Sequence, residues 1–252
     1  MINYTKWSKI YLGENMRINK FLASCELGSR RHVEEFVTSG RISVNNKIIK
    51  ELSFDISDED EVAFDGKIVK PTSKKVYIML NKPRCYITSL KDEKDRKVVT
   101  DLLKKVKEKV FPVGRLDYNT QGLLLLTNDG DWANNIIHPS KHIYKTYEVK
   151  LKVILTNKEL GLIRKGMLID GIKYLPAKIE MSHNDEDYCY YHITIMEGKN
   201  REIRRIFESM NVTVYSLKRL SIGDLELGDL QEGKYVYLDD KQKDLVFKGT
   251  TC

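Results

Sequence analysis

The residues best suited to chemistry stand together in Gly114-Arg115-Leu116-Asp117-Tyr118-Asn119-Thr120-Gln121-Gly122. A carboxylate such as Asp117 needs no general base to act as a nucleophile or a charge stabiliser. Arg115 lies two residues earlier, and in an extended segment the two side chains point the same way. The loop feeds Leu123 to Leu126 and then Thr127-Asn128-Asp129-Gly130. That run reads as a short buried strand ending in a tight turn. Polar groups at the mouth of a buried strand are held rigidly, as catalysis requires. By pattern alone the same residues also fit a loop aspartate that caps a turn and an arginine that faces water.

Two later segments carry chemistry that such a carboxylate would need. In Tyr144-Lys145-Thr146-Tyr147-Glu148-Val149 the tyrosines offer aromatic faces that fit either a stacked planar ligand or a packed core. The chain has fourteen tyrosines, so spacing does not separate Tyr147 from Tyr144 or from a core tyrosine. In Glu197-Gly198-Lys199-Asn200-Arg201-Glu202-Ile203-Arg204-Arg205, Ile203 begins an i, i+3, i+4, i+7 repeat with Ile206, Phe207 and Met210. This predicts a helix over Glu202–Met210 with a buried face. Arg201, Arg204 and Glu208 share the adjoining stripe, which fits a phosphate-binding surface or a counter-charge to a site.

Residues 16–71 read as a small domain of two helices and a hairpin. Ile18, Phe21, Leu22 and Cys25 form one helical face. Ser29 is a candidate N-cap for a second helix burying Val33, Phe36 and Val37 and stopped at Gly40. Ile42–Val44 and Lys47–Ile49 flank Asn45-Asn46 as a hairpin, with further strands at Glu61–Phe64 and Lys67–Val69. Residues 72–75 read as a linker and 76–240 as the main domain. That domain has strands at Val76–Leu80, Tyr147–Leu151, Tyr190–Ile195 and Tyr235–Leu238, and helices at Leu160–Lys165 and Glu202–Met210. The mixture predicts an α+β domain on a mostly antiparallel sheet. Residues 1–15 read as an N-terminal extension or the product of an upstream start codon, and 241–252 as a C-terminal tail.

Composition excludes several classes. A hydrophobic content of 41% with 31% charged residues is that of a soluble globular chain, and no apolar run approaches a membrane span. The first residues lack an apolar signal core, so a cytoplasmic location is expected. Four scattered cysteines and five histidines form no metal-ligand spacing, so neither a metal nor a disulfide framework is expected. A net charge of +7 suggests a polyanionic partner. Residues 16–71 nevertheless hold nine basic and ten acidic residues, so an RNA face there requires segregation. Five of the acids fall within Asp55–Glu61, which would allow it.

Gly114-Arg115-Leu116-Asp117 with Thr120, Gly122 and the leucine run, Asn81-Lys82-Pro83, Lys145-x-Tyr147 and Glu197–Arg205 occur in the order of the pseudouridine synthase motifs. Over roughly residues 16–238 the chain resembles that family, and more narrowly its RsuA/RluB branch, which modifies ribosomal RNA. The residues Arg17–Phe21, Ser29-Arg30-Arg31, Gly40-Arg41 and Val44-Asn45 resemble a small αL-type RNA-binding domain, first described in ribosomal small-subunit protein four. The resemblance implies that Asp117 is the essential catalytic residue, that Arg204 pairs with it, and that Tyr147 stacks on the flipped base. It implies that Arg115 enters the space the base leaves, with Lys199 and Arg201 also binding substrate. It places RNA contacts at Arg17, Lys20, Arg30, Arg31, Arg41 and Lys47. Asn81-Lys82-Pro83 would be a scaffold under the loop. Glu202 stands where the family more often has Gln. Isomerisation needs no cofactor, and a monomer acting on ribosomal RNA or a pre-ribosomal particle is expected. The 23S branch is favoured over the 16S branch, and a non-catalytic RNA-binding or assembly factor is the alternative of a different class. A phosphate-handling hydrolase would need a glycine-rich cradle or a carboxylate cluster, and the sequence has neither.

Overall fold

The computed structural model describes residues 15–249, and the chain divides between Lys75 and Val76 into two compact units. The extension read at residues 1–15 lies, Asn15 apart, outside the described residues, as do the last three residues of the C-terminal segment.

In the first unit β1 (Met16–Arg17) leads into α1 (Ile18–Ser24), and α2 (Arg30–Thr38) begins at Ser29, whose hydroxyl accepts the His32 N–H at 3.2 Å. Ile18, Phe21, Leu22, Val33 and Val37 share one core. The strands β2 (Ile42–Val44) and β3 (Lys47–Ile48) turn on Asn45 and Asn46, with φ of 49° and 63°, as a twisted two-residue hairpin requires. The strand β4 (Asp55–Ile56) pairs with β1. Adding β5 (Val62–Phe64) and β6 (Lys67–Ile68) completes a sheet ordered β3-β2-β5-β6.

The second unit runs β7 (Tyr77–Lys82), β8 (Phe111–Val113), β9 (Gln121–Thr127), α3 (Gly130–Ile137), β10 (Lys145–Leu151), α4 (Asn157–Lys165), β11 (Met167–Ile169) and β12 (Ile172–Tyr174). It continues β13 (Lys178–Asn184), β14 (Cys189–Ile195), α5 (Glu202–Glu208), β15 (Ser216–Ile222), β16 (Leu225–Glu226), β17 (Tyr235–Tyr237) and α6 (Asp240–Leu245). The main path of its large sheet is β13-β14-β10-β15-β9-β7-β17, antiparallel except where β9 meets β15. The leucine run is buried on both faces: Leu124 and Leu126 join one core, Leu123 and Leu125 the other. This is why it reads as a continuous apolar run and not as an alternation.

Two segments differ from the sequence reading. Asn128-Asp129-Gly130 does more than end a strand, since Asp129 caps α3 by accepting the N–H groups of Asp131 and Trp132 at 3.1 Å each. That helix has too short an apolar pattern, broken by Asn134-Asn135, to stand out by period. Residues 241–249, read as tail, remain part of the fold, because α6 leads to Val246, which is fully buried in the second core.

Two backbone devices set the register around the loop. Gly122, with φ of +104°, pairs with Arg219 where β9 runs parallel to β15. A Cβ there would lie 2.2 Å from the Arg219 carbonyl oxygen. Between β10 and β15 the register slips at Thr146/Tyr147, so that Tyr147 opposes Arg219 and Leu220 is extra. A bulge of this kind re-aims neighbouring side chains. Gly122→Ala is expected to destabilise the second unit by about 3 kcal/mol or more, through the clash and the left-handed backbone. Urea denaturation checks this, and an unchanged midpoint would show that the two strands do not approach this closely.

Candidate active site

The loop from residue 114 to 120 connects β8 to β9, and its backbone is pinned at several points. Lys82, the last residue of β7, is fully buried. Its Nζ donates to the carbonyls of Thr120 at 2.9 Å, Pro83 at 3.0 Å and Asp117 at 3.1 Å. Burial pushes the Lys82 amine down to about 8, while the Asp117 charge acts to raise it. At neutral pH it is therefore still an ammonium with three protons to donate. The Thr88 hydroxyl accepts the Leu116 N–H at 3.2 Å and donates to the Leu116 carbonyl at 2.8 Å. The Cys85 N–H donates to the Tyr118 carbonyl at 2.9 Å. While its backbone is held in this way, Asp117 keeps a half-buried side chain whose carboxylate makes no hydrogen bond or ion pair among the described residues.

This carboxylate opens into a cavity of about 510 Å³, lined also by Arg115, Thr120, Tyr147, Lys199, Arg201 and Arg204. All the side chains that the sequence assigned to catalysis, base flipping or substrate binding thus meet in one place. Their partners are less uniform. Lys199 is paired with Glu197 and Arg201 with Glu208, both at 2.8 Å, and Arg115 is exposed. Arg204 forms no ion pair with Asp117, which departs from the expected pairing. Its guanidinium instead donates to the carbonyls of Asn119 at 3.3 Å and Val214 at 3.4 Å. It braces the loop two residues past Asp117 and faces that carboxylate as a nearby charge. Burial lowers its pKa, as does Arg201, while Asp117 acts in the opposite sense.

Three further charged side chains line the cavity. Lys145 precedes Tyr147 by two residues on β10 and faces the same way. Burial pushes its amine down to about 8, helped by the Arg219 charge, while Glu202 acts to raise it. Glu202 is buried and accepts the Lys199 N–H at 2.8 Å, and burial raises its carboxyl to about 7. Arg219 is buried beside Tyr147. Sequence reading noted Lys145 and Glu202 only as motif letters and missed Arg219. The available signal was strand parity, because Arg219 shares a face with buried Leu217. Tyr144, the competitor of Tyr147, does not line this cavity. Cations outnumber carboxylates along the wall, which favours an anionic ligand such as a nucleic-acid strand. Among the described residues no group of three or more His, Cys, Asp or Glu side chains is placed to hold a metal.

In the first unit Arg30, Arg31 and Lys47 are exposed, whereas Arg17 pairs with Asp55 at 3.4 Å and also donates to the Ser53 carbonyl. Arg41 donates from Nε to Asp65 at 3.0 Å and lies over the rings of Phe36 and Phe64. Lys20 is half-buried. Acidic and basic residues are therefore interleaved at Arg17 and Arg41: Asp55 lies opposite Arg17 where β4 pairs with β1, and the Asp65 N–H also bonds to the Arg41 carbonyl.

Comparison with known proteins bears on this arrangement. Residues 76–209 match the RNA pseudouridylate synthase family and residues 16–62 the S4 domain. Ribosomal large subunit pseudouridine synthase B of Bacillus subtilis is 39% identical over 223 residues, covering 86% of this chain and 91% of that one. An uncharacterized RNA pseudouridine synthase of Aquifex aeolicus is also 39% identical, covering 92% and 94%. A crystal structure of a pseudouridylate synthase superposes with a TM-score of 0.65 at 30% identity, covering 92% of this chain and 99% of that one.

The buried Glu202 has a consequence for stability. Below pH about 4.5, its ordinary value, it is protonated in both folded and unfolded chains and makes no difference between them. As the pH rises to about 7 the unfolded chain ionises first, so folding stability falls across that window. Glu202→Gln, which retains an acceptor for the Lys199 N–H, is expected to remove this slope. At pH 8 it should gain about 1–3 kcal/mol over the parent. Parallel stability–pH curves for the two proteins would contradict the assignment.

Proposed function

The chain belongs to the RNA pseudouridylate synthase family and is a pseudouridine synthase, and from that premise we propose that it isomerises a uridine of ribosomal RNA through Asp117. The observation that carries the reading is the Asp117 carboxylate, unpartnered in an electropositive cavity while its own backbone is locked by Lys82. A nucleophile that must exchange bonds with a substrate is best left free of internal hydrogen bonds, in a rigid frame.

The reaction breaks the bond from N1 of uracil to C1′ of the ribose and forms one from C5. The base loses a proton at C5 and gains one at N1, so substrate and product are isomers and no electrons enter or leave. Asp117 stabilises or captures the sugar or the ring during the exchange. Arg204 and Lys82 present positive charge near it. Tyr147, held in the wall, offers a platform for the detached base. Arg115, exposed on the loop, fills the space the base vacates, and Lys199 and Arg201 meet the flanking phosphates.

Large-subunit (23S) ribosomal RNA is the favoured substrate, supported by the name of the Bacillus subtilis relative. The S4 domain holds the RNA, with Arg30, Arg31 and Lys47 as its accessible cations and Arg17, Lys20 and Arg41 beside them. The reading carries with it a monomer acting in the cytoplasm on ribosomal RNA or a pre-ribosomal particle, with no cofactor.

Asp117→Asn is expected to reduce pseudouridine formation at least 10³-fold while RNA affinity stays within about twofold, since the amide keeps the shape but not the charge. Quantifying pseudouridine in unmodified 23S and 16S transcripts, with parallel RNA-binding isotherms, checks this. A parent protein that binds both RNAs and converts no uridine in either would instead make the chain a binding or assembly factor.

A further inference from the structure

Arg219 is the one Lys, Arg, Asp or Glu of the cavity wall that lies outside the motifs, and its hydrogen bonding is incomplete. It is 3% exposed. Its Nε donates to the Leu123 carbonyl at 2.7 Å, and its Nη1 donates to the Tyr147 hydroxyl at 3.5 Å. Its Nη2 is buried with no acceptor, and no ion pair neutralises the guanidinium among the described residues. A buried, unpaired N–H on a charged group is costly, and an aliphatic side chain of similar length would avoid that cost. Thr120 Oγ1 is likewise buried without a partner and belongs to the same wall. Two of the four orphaned buried polar side-chain atoms found among the described residues therefore belong to this one cavity.

Resting on the function proposed above, we propose that Arg219 donates its free N–H to a carbonyl oxygen of the bound uracil and stabilises the charge that gathers there during the exchange. When the N1–C1′ bond breaks, its electron pair stays on the base and spreads onto the carbonyl oxygens. Attack on the ring instead also pushes charge onto a carbonyl oxygen. Both routes need a donor at the base edge. The register slip that sets Arg219 opposite Tyr147 brings that donor beside the ring on which the base would stack. The anchor on Leu123 holds it to the strand that follows the Asp117 loop. A phosphate is a poorer fit so deep in the wall, because it is strongly hydrated and the exposed cations at the mouth suit it better. A donor already oriented toward developing charge acts mainly in the transition state, so its loss should lower kcat more than it raises KM.

Arg219→Met tests this, because it fills the same volume without the cation. The variant loses the Leu123 hydrogen bond but is relieved of the orphaned N–H, so it should melt close to the temperature of the parent and bind 23S transcript within about twofold. Its single-turnover rate of pseudouridine formation should fall about 10²-fold, the effect of removing one such donor. Arg219→Ala should regain activity when guanidinium ion is added at millimolar concentration. Arg219→Met working within about twofold of the parent would overturn the proposal. So would a rate loss that follows a lowered melting temperature, with no rescue of Arg219→Ala. If the parent itself forms no pseudouridine, the underlying function fails, and the parent alone reveals that.

Discussion

The site depends on one buried ammonium. Lys82 ends β7 fully buried, and its three protons go to the backbone carbonyls of Pro83, Asp117 and Thr120. Without that donor the carbonyls of Pro83 and Thr120 would lose this hydrogen bond, at a cost of about 1–3 kcal/mol for each that stays buried, and the Asp117 carbonyl would keep only the Thr120 N–H. The arrangement therefore couples the stability of the loop to its geometry. An arginine could not replace it, since a planar fork does not direct donors to three convergent oxygens. The charge also lies near Asp117, so the group that fixes the backbone contributes to the field at the carboxylate.

The remaining geometry follows from how strands meet around that point. Strands β7 and β9 are apolar on both faces, which gives the loop an immobile base. Gly122 allows β9 to lie against β15, and that contact sets Arg219 beside Leu123. The bulge opposite Thr146/Tyr147 then turns Tyr147 toward the same cavity. Helix α5 adds Glu202 and Arg204 from the other side, with Arg204 bonded to the carbonyl of Asn119. A loop, two strands and a helix far apart in sequence thus bring their charged side chains and one aromatic ring to a single cavity.

Much of this was legible in the sequence because it is local. The leucine run, the Ser29 cap, the Asn45-Asn46 turn and the Ile203–Met210 stripe each follow from a few consecutive residues. The motifs also brought the intended cavity residues together, since their order along the chain matched a known pattern. What was not legible depends on distant partners. Arg204 was expected to pair with Asp117, but the carbonyls of Asn119 and Val214 compete for its guanidinium. Arg17 and Arg41 were expected to contact RNA, yet the folded chain sets Asp55 and Asp65, distant in sequence, against them. Arg219 and Lys145 look like ordinary strand cations until the register shows which face they share with the core. Helix α3 was hidden because eight residues with two central asparagines carry little periodic signal.

A buried lysine, on this reading, presents the Asp117 carboxylate in the geometry that the reaction needs. Single-turnover pseudouridine formation by Lys82→Met tests it most directly, at a temperature where the variant is fully folded by near-ultraviolet circular dichroism and saturated with RNA. The rate should fall at least tenfold below the parent, because a carboxylate displaced by even about 1 Å loses much of its advantage. A rate equal to that of the parent, from folded and RNA-bound Lys82→Met, would contradict it.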